Sequence, residues 1–189
     1  EEATIPPIVV KHTFKPTLLK QEGNRFIYDV SQNISGVLRC RFRGERGAKI
    51  VIRHGELLLD GALYVENLRA AESTDTYILS GEGEEEFRPL FTFHGFRFCQ
   101  IEGIKNIKKE NFTACVLCTD MEQTGYFECS DERINKLFSN IIWGQKSNFL
   151  DVPTDCPQRD ERLGWTGDAQ VFIKTASYNY DVEKFFLKW

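Results

Sequence analysis

The stretch LRCRFR (residues 38–43) indicates the fold of the first part of the chain. Its apolar members Leu38, Cys40 and Phe42 alternate with three arginines, so that one side is apolar and the other is charged. A period of two is typical of a β-strand with one buried face. Residues 38–43 therefore predict a strand that forms one wall of a hydrophobic core.

Short apolar runs of the same kind continue along the chain and are separated by turn-forming residues. They lie at residues 49–52, 76–79, 87–93, 96–101 and 114–119. Many short strands without interleaved helices are typical of an antiparallel β-sandwich. We therefore expect a mostly β fold class, with a β-sandwich domain at residues 1–122 whose first twenty residues form an extended lead-in.

The period of the apolar pattern changes near Ser130, which is a candidate helix N-cap followed by two acidic residues in the first turn. Apolar residues then recur at helical spacing: Ile134, Leu137, Phe138, Ile141 and Ile142. Further helices are predicted to begin near residues 166–167 and around Asp181. Three helices with so much apolar surface cannot cover one another, so we expect residues 123–189 to be a truncated helical domain, or to self-associate.

Composition excludes some functions. The 189 residues carry a net charge of −4, which argues against a nucleic-acid partner. No apolar run approaches the roughly 20 residues that a membrane helix needs, so no membrane span is predicted. The chain begins at Glu1, and any targeting segment would lie upstream, so the sequence leaves the compartment undetermined.

The cysteines and histidines do not indicate a metal site. Cys115 and Cys118 form a CxxC pair inside a predicted strand, where residues three apart point to opposite faces. No second pair or nearby histidine completes a zinc ligand set. His12, His54 and His94 all fall in the β-rich part, and we expect them to be surface or strand residues rather than catalytic ones.

The chemistry is concentrated in DVPTDCPQRDERLGWTGD (residues 151–168), which holds five carboxylates, two arginines and a tryptophan. Carboxylates accept hydrogen bonds from sugar hydroxyls, and an indole packs on the apolar side of a sugar ring. A carboxyl that burial or like-charged neighbours keep protonated can act as a general acid. The alternative is structural: Arg159 and Arg162 could pair with the acids simply to hold a buried loop.

Within this stretch, DCPQRDERLGWTGD (residues 155–168) resembles the signature near the start of the catalytic domain of bacterial α-L-rhamnosidases. The upstream segments FTFHGFRF (residues 91–98) and GYFECSD (residues 125–131) are similar to that family as well. The resemblance implies a concanavalin-like β-sandwich followed by an (α/α)₆ six-hairpin barrel. Residues 123–189 would then be the beginning of that barrel.

The resemblance also implies roles for individual residues. Glu161 matches the general acid, and Asp155 and Asp168 match carboxylates that hold the rhamnose hydroxyls and tune the acid. Arg159 and Trp165 match sugar-contacting positions. Asp160 has no clear family role, and we expect it to be a pairing partner of a cation.

The implied reaction is inverting hydrolysis of terminal α-L-rhamnose from an oligosaccharide or glycoside, without a metal or organic cofactor. Inversion needs a second carboxylate about 6.5–9.5 Å from the acid. In the family this general base lies further along the barrel, so we expect residues 1–189 alone to be inactive. The alternative function is a non-catalytic carbohydrate-binding β-sandwich, which would require an exposed aromatic platform on the sheet.

Overall fold

The computed structural model describes residues 5–104 and 108–189, without the side chain of Lys109. These residues form two compact units. The first, here called the β unit, contains residues 12–116 and 158–160. The second, the helical unit, contains the residues up to 11, 117–157 and 161–189. The described residues thus form mostly antiparallel β-sheet, with three α-helices.

The strands fall into one large sheet and two small ones. Sheet order is β1-β10-β3-β9-β4-β7, with β2 and β8 also paired to β3; β5 pairs with β6, and β11 with β12. Their bounds are β1 Ile8–Phe14, β2 Thr17–Glu22, β3 Arg25–Arg43, β4 Lys49–Gly55, β5 Leu57–Leu59, β6 Ala62–Tyr64, β7 Thr74–Ile78, β8 Glu84–Phe87, β9 His94–Glu102, β10 Phe112–Thr119, β11 Phe149–Leu150 and β12 Val152–Pro153. The helices are α1 Glu132–Asn148, α2 Thr166–Asn179 and α3 Glu183–Lys188, and 3₁₀ turns lie at Glu66–Leu68 and Lys109–Asn111.

Strand β3 is the longest element of the β unit, with 19 residues. It pairs antiparallel with β2, β8, β9 and β10 along different parts of its length. Its register with β9 shifts between Asp29 and Ile34, where Ser31 has a φ of 68°. Such a bulge bends a strand and increases its twist. The predicted alternation is confirmed, because Leu38, Cys40 and Phe42 are buried and the intervening arginines are exposed.

The expected strand at residues 87–93 is wrong beyond Phe87. Strand β8 ends at Phe87, and β9 begins at His94. Pro89 has no backbone N–H to give to a ladder, and the Phe91 side chain is fully exposed. An apolar run is not enough to make a strand when its backbone cannot pair, so residues 88–93 connect two strands instead.

The helical unit has a separate hydrophobic core formed by residues of all three helices, the segments between them and the segment before α1. It consists of Met121, Ile142, Phe149, Ala176, Tyr180, Val182 and Phe185, with Phe138, Phe172 and Phe186 packed against it. Other apolar side chains of the same helices stay exposed, among them Leu137 at 58% and Val171 at 85%. The predicted apolar stripe is therefore only partly covered within this unit. No helix in residues 5–104 and 108–189 combines the length and the apolar character that a membrane crossing requires.

The first helix begins one residue later than the sequence suggests. The N-cap is Asp131 rather than Ser130, because the Asp131 carboxylate accepts a hydrogen bond from the Arg133 backbone N–H at 2.9 Å. The same carboxylate also pairs with the Arg133 guanidinium at 2.8 Å. Helix α2 begins at Thr166 as predicted, and α3 begins at Glu183, shortly after the expected position.

The Asp131 cap should contribute to the stability of the fold in a way that depends on pH. The hydrogen bonds from Arg133 hold the pKa of Asp131 below its ordinary value. A carboxyl whose folded pKa is lowered stabilises the fold above its unfolded pKa of about 4 and stops doing so as the pH falls through the folded pKa. Asp131→Ala should therefore lower the melting temperature by a few degrees at pH 6, and the difference from the unmodified chain should shrink below about pH 4.

Ser130→Ala is the matched control and should change the melting temperature little at either pH. Thermal unfolding followed by circular dichroism measures both variants. A larger loss in Ser130→Ala than in Asp131→Ala would mean that the cap is assigned to the wrong residue.

Candidate functional site

The part of the acidic motif that lies in the helical unit is a loop closed by two hydrogen bonds. The Asp155 backbone N–H donates to the Leu163 carbonyl at 3.2 Å. In return, the Leu163 N–H donates to the Asp155 carboxylate, also at 3.2 Å. A backbone that is held at both ends in this way keeps its side chains in a fixed place. Asp155 is therefore both a candidate sugar ligand and the residue that closes the loop.

Three acidic groups meet at this closure. The carboxylates of Asp155 and Glu161 and the thiol of Cys156 all lie within 4.8 Å of one another. Partial burial raises the pKa of Asp155, but hydrogen bonds from the Cys156 thiol, the Leu163 N–H and the Glu161 carboxyl outweigh it, so that the pKa lies below its ordinary value. Two carboxyl groups can share a hydrogen bond only when one of them holds a proton. The arrangement thus favours an ionised Asp155 beside a second carboxyl group and a thiol.

A cavity of about 550 Å³ lies within the helical unit, beside this cluster. Its wall is formed by the second half of α1, the segment that contains β11 and β12, and the first turns of α2. Two of the candidate residues, Asp155 and Asp168, lie on that wall together with the amides Gln145 and Asn148. Carboxylates and amides at one cavity provide the hydrogen-bonding groups that a polyhydroxylated ligand requires.

Asp168 and Trp165 are both positioned by the start of α2. Asp168 lies in the first turn, where the helix dipole favours a negative charge, and Trp165 is the N-cap residue. The Trp165 ring is 47% exposed and is not among the described residues that line the cavity. Between the loop and the helix, Gly164 has no room for a side chain because the indole of Trp189 lies against it.

The entrance to the loop is held against the end of α1. Thr154 donates from both its backbone N–H and its hydroxyl to the Asn148 carbonyl, each at 2.9 Å. Asp151 has a left-handed backbone with a φ of 73°. Its N–H donates to the Thr119 hydroxyl at 3.0 Å, and its carboxylate pairs with Lys188. These contacts fix the point at which the chain enters the loop.

The middle of the motif, residues 158–160, belongs to the β unit. There the Asp160 carboxylate pairs with the guanidinium of Arg69 at 3.2 Å. The expectation that Asp160 is a pairing partner is confirmed, although its cation comes from outside the motif. Arg159 is half-buried in the same unit, and nothing in its surroundings tests its expected role as a sugar contact.

Sequence reasoning missed Cys156 as a neighbour of the candidate carboxyl pair. Its place beside Asp155 is the only signal in the sequence, and cysteine patterns indicate metal ligands or disulfide partners rather than such a contact. In the structure Cys156 is buried and reduced, and its thiol donates to the Asp155 carboxylate. The amides Gln145 and Asn148 were missed as well, because nothing local distinguishes them from other polar residues of an amphipathic helix.

The two parts of the chain match two family models. Residues 19–118 match the bacterial alpha-L-rhamnosidase concanavalin-like domain, and residues 122–189 match the bacterial alpha-L-rhamnosidase 6 hairpin glycosidase domain. The chain belongs to the bacterial α-L-rhamnosidases. The resemblance that the acidic motif indicates is thus confirmed over most of the chain.

Individual relatives agree with this assignment. An alpha-L-rhamnosidase of Streptomyces avermitilis is 48% identical over 166 residues, which are 87% of this chain and 16% of that protein. A solved structure of alpha-L-rhamnosidase from Dictyoglumus thermophilum is 44% identical, with a TM-score of 0.95 over 98% of this chain and 21% of that one. The Streptomyces avermitilis alpha-L-rhamnosidase complexed with L-rhamnose is 42% identical, with a TM-score of 0.94 over 99% of this chain and 18% of that one. The chain spans about a fifth of the length of these rhamnosidases.

The role of Cys156 can be tested directly on the Asp155 carboxyl. Cys156→Ala removes a hydrogen bond that favours the ionised form, so the pKa of Asp155 should rise, whereas Cys156→Ser keeps a donor and should leave it low. Carboxyl carbon chemical shifts, followed by NMR as a function of pH, report this pKa. Cys129→Ala, a cysteine elsewhere in the helical unit, is the control. An unchanged or lower Asp155 pKa in Cys156→Ala would contradict the arrangement.

Proposed function

We propose that the chain is the β-sandwich and the opening part of the catalytic domain of an α-L-rhamnosidase. The complete enzyme would remove terminal α-L-rhamnose from an oligosaccharide or glycoside by inverting acid/base hydrolysis. The observation that carries the proposal is the carboxyl pair of Asp155 and Glu161 at the closure of the motif loop. The complex of the Streptomyces avermitilis enzyme with L-rhamnose supports the substrate class.

The domain boundary proposed from the sequence, between residues 122 and 123, is compatible with the family matches. The first match ends at residue 118 and the second begins at residue 122. The catalytic domain would therefore begin just before α1, and residues 1–122 would form the accessory domain.

In the proposed reaction Glu161 is the general acid. Glu161 lies beside Asp155 at the closure of the loop, and in this reaction it would give a proton to the leaving glycosidic oxygen. Asp155 would then have two effects. It closes the loop that carries Glu161, and its remaining lone pairs would accept from a sugar hydroxyl.

The other candidate residues complete the sugar site. Asp168 lies on the same cavity wall as Asp155 and would accept from a second hydroxyl. Trp165 offers a half-exposed indole to the apolar side of the sugar ring, and Arg159 offers donors to its oxygens. No metal or organic cofactor has a part in this mechanism.

The general base is not among the residues assigned here, so residues 1–189 alone would not turn over substrate. The apolar side chains that the helical unit leaves exposed, such as Leu137, Val171 and Leu187, would favour self-association of this piece. Burial of such a surface stabilises an association by roughly 25 cal/mol per Å² before the entropy cost of binding.

The alternative function, a carbohydrate-binding module, is weakly supported by the aromatics of the main sheet, among which Tyr77 and Phe87 form a stacked, half-buried pair. The large aromatics of the main sheet, Tyr28, Phe42, Phe96 and Phe112, are fully buried. Phe91 is exposed, but it lies on the connection between β8 and β9 and has no aromatic neighbour within the described ring contacts. The largest aromatics of the β unit therefore belong to its core rather than to an exposed platform.

The roles of the two carboxyls predict different kinetic effects in the full-length enzyme. Glu161→Gln removes the proton donor with almost no change of shape, so kcat/KM should fall by about 10²–10⁴-fold on substrates with poor leaving groups. The loss should be small for nitrophenyl rhamnoside, because nitrophenolate departs with little protonation. Asp155→Asn should weaken binding as well as turnover, with little dependence on the leaving group.

The measurement is kcat/KM over a series of aryl rhamnosides of graded leaving-group pKa. A steep dependence in Asp155→Asn with none in Glu161→Gln would exchange the two roles. If neither variant depends on the leaving group, the proton donor lies outside the motif.

A further inference from the structure

Residues 158–160, in the middle of the motif, contact strand β9 through Gln158, which packs directly against Gly95. A Cβ atom placed on Gly95 would lie 2.7 Å from the Gln158 Cβ and 2.9 Å from the Gln158 backbone nitrogen. Real Cβ atoms essentially never come that close to another atom. Gly95 does not have a positive φ, so any residue could adopt its backbone conformation. Glycine is required here because Gln158 occupies the space.

A second contact holds the other end of the same segment. The Arg69 guanidinium pairs with the Asp160 carboxylate at 3.2 Å. Arg69 itself has a left-handed backbone, with a φ of 58°. A non-glycine residue keeps such a conformation only where its surroundings fix it. Residues 158–160 are thus fixed to the β unit at both ends, by a steric contact at Gln158 and an ion pair at Asp160.

The loop that carries Arg69 contacts two buried histidines through Ser73. Ser73, also left-handed with a φ of 46°, accepts a hydrogen bond at its carbonyl from the His54 backbone N–H at 3.0 Å. The same carbonyl lies 3.2 Å from the His54 ring nitrogen Nδ1, and the Ser73 hydroxyl lies 3.4 Å from Nδ1 of His94. His94 in turn contacts the Asp75 carboxylate through Nε2 at 3.0 Å. His94 is also the residue before Gly95. The buried group therefore lies next to both residues that contact the segment: Gly95 follows His94 directly, and Arg69 lies in the loop that ends at Ser73.

His54, Asp75 and His94 include ligand types for a metal ion, but their geometry does not suit one. The two imidazole rings are stacked, with centroids 4.2 Å apart and planes inclined by only 19°. The lone pairs of their Nε2 atoms lie in nearly parallel planes and cannot both point at an ion about 2.0–2.1 Å away. Burial lowers the pKa of His54 to about 3, which keeps that ring neutral. The group contacts Ser73 through both histidines, while the His54 Nε2 and Asp75 Oδ2 atoms lie buried without a hydrogen-bond partner among the described residues.

We propose that Gly95 and Arg69 are positioning residues for the candidate general acid Glu161. They fix residues 158–160 on the β unit, and Glu161 follows Asp160 by a single peptide bond, so any shift of the segment moves the acid. The proposal rests on the proposed function of Glu161. It gives the accessory domain a part in catalysis that does not involve contact with the sugar.

The kinetic test uses the full-length enzyme. Gly95→Ala pushes the segment outward, and kcat on substrates with poor leaving groups should fall about 10–100-fold with a smaller change in KM, since a misplacement of about 1 Å costs on the order of 10²-fold. The loss should shrink for good leaving groups, as it does for a weakened proton donor. Gly44→Ala is the matched control, because a Cβ there comes equally close, at 2.7 Å, but only to the terminal Cδ1 atom of Leu79 and not to residues 158–160.

Arg69→Ala provides a second route that does not strain the fold, since the Arg69 side chain is 54% exposed. It should give the same leaving-group dependence with a smaller loss, and Arg69→Lys should recover part of it. Arg41→Ala breaks a comparable exposed ion pair, with Glu86 at 3.2 Å, and should leave the kinetics unchanged.

Amide hydrogen exchange of the full-length enzyme separates this proposal from the function on which it rests. Gly95→Ala and Arg69→Ala should speed exchange in peptides that cover residues 158–163, and the two controls should not. Unchanged exchange in both variants overturns the proposal. Faster exchange without the leaving-group effect also overturns it, provided that Glu161→Gln still shows that effect. If Glu161→Gln shows none, the proposed function fails instead.

Discussion

The pairing of β3 with four other strands is the constraint on which the β unit depends. Side chains alternate along a strand, so a slip of one residue would turn Leu38, Cys40 and Phe42 away from the core and expose them. The bulge after Asp29 lets the two halves of this long strand keep separate registers. Pairing with β3 positions strand β9, which carries the buried His94 and the Gly95 that follows it. The position of the motif segment is therefore determined by a register set far away in the sequence.

The acidic loop combines structure and chemistry in one side chain. One oxygen of Asp155 accepts the Leu163 N–H that closes the loop, and the same carboxylate interacts with Cys156 and Glu161. A carboxylate has about four acceptor sites, which is enough for these roles together. For this reason the structural and the functional interpretations of the motif are not alternatives. The loop is held by its acids, and the acids are placed by the loop.

Local features of the fold could be predicted from the sequence, and long-range ones could not. The alternation around Cys40 and the helical spacing after Ser130 each depend on neighbouring residues, and both gave the correct element. The N-cap differed by one residue because Ser130 and Asp131 are both good caps, and only the backbone geometry selects one. The prediction of a strand at residues 87–93 was wrong beyond Phe87. Pro89 has no backbone N–H to donate to a neighbouring strand, and the apolar pattern cannot compensate for that.

The candidate site divides in the same way. The motif at residues 155–168 could be found because its chemistry is written in one continuous stretch. The cation that pairs with Asp160 could not, since Arg69 is one of many arginines and belongs to no pattern. The same holds for His54, Asp75 and His94, which come from three strands and meet only after the sheet forms. Burial of two histidines next to an aspartate cannot be deduced from their spacing.

The close contact between Gly95 and Gln158 also bears on how such enzymes can evolve. Accessory β-sandwiches are often regarded as modules that recombination can exchange freely. Here a foreign sandwich would have to bring its own glycine at this place in the sheet and its own cation opposite Asp160. A substitution at residue 95 would need a compensating change in residues 158–160. We therefore expect the two parts of this chain to be inherited together, because a chimaera that joins unrelated halves would lack the Gly95 contact and the Arg69 ion pair at residues 158–160.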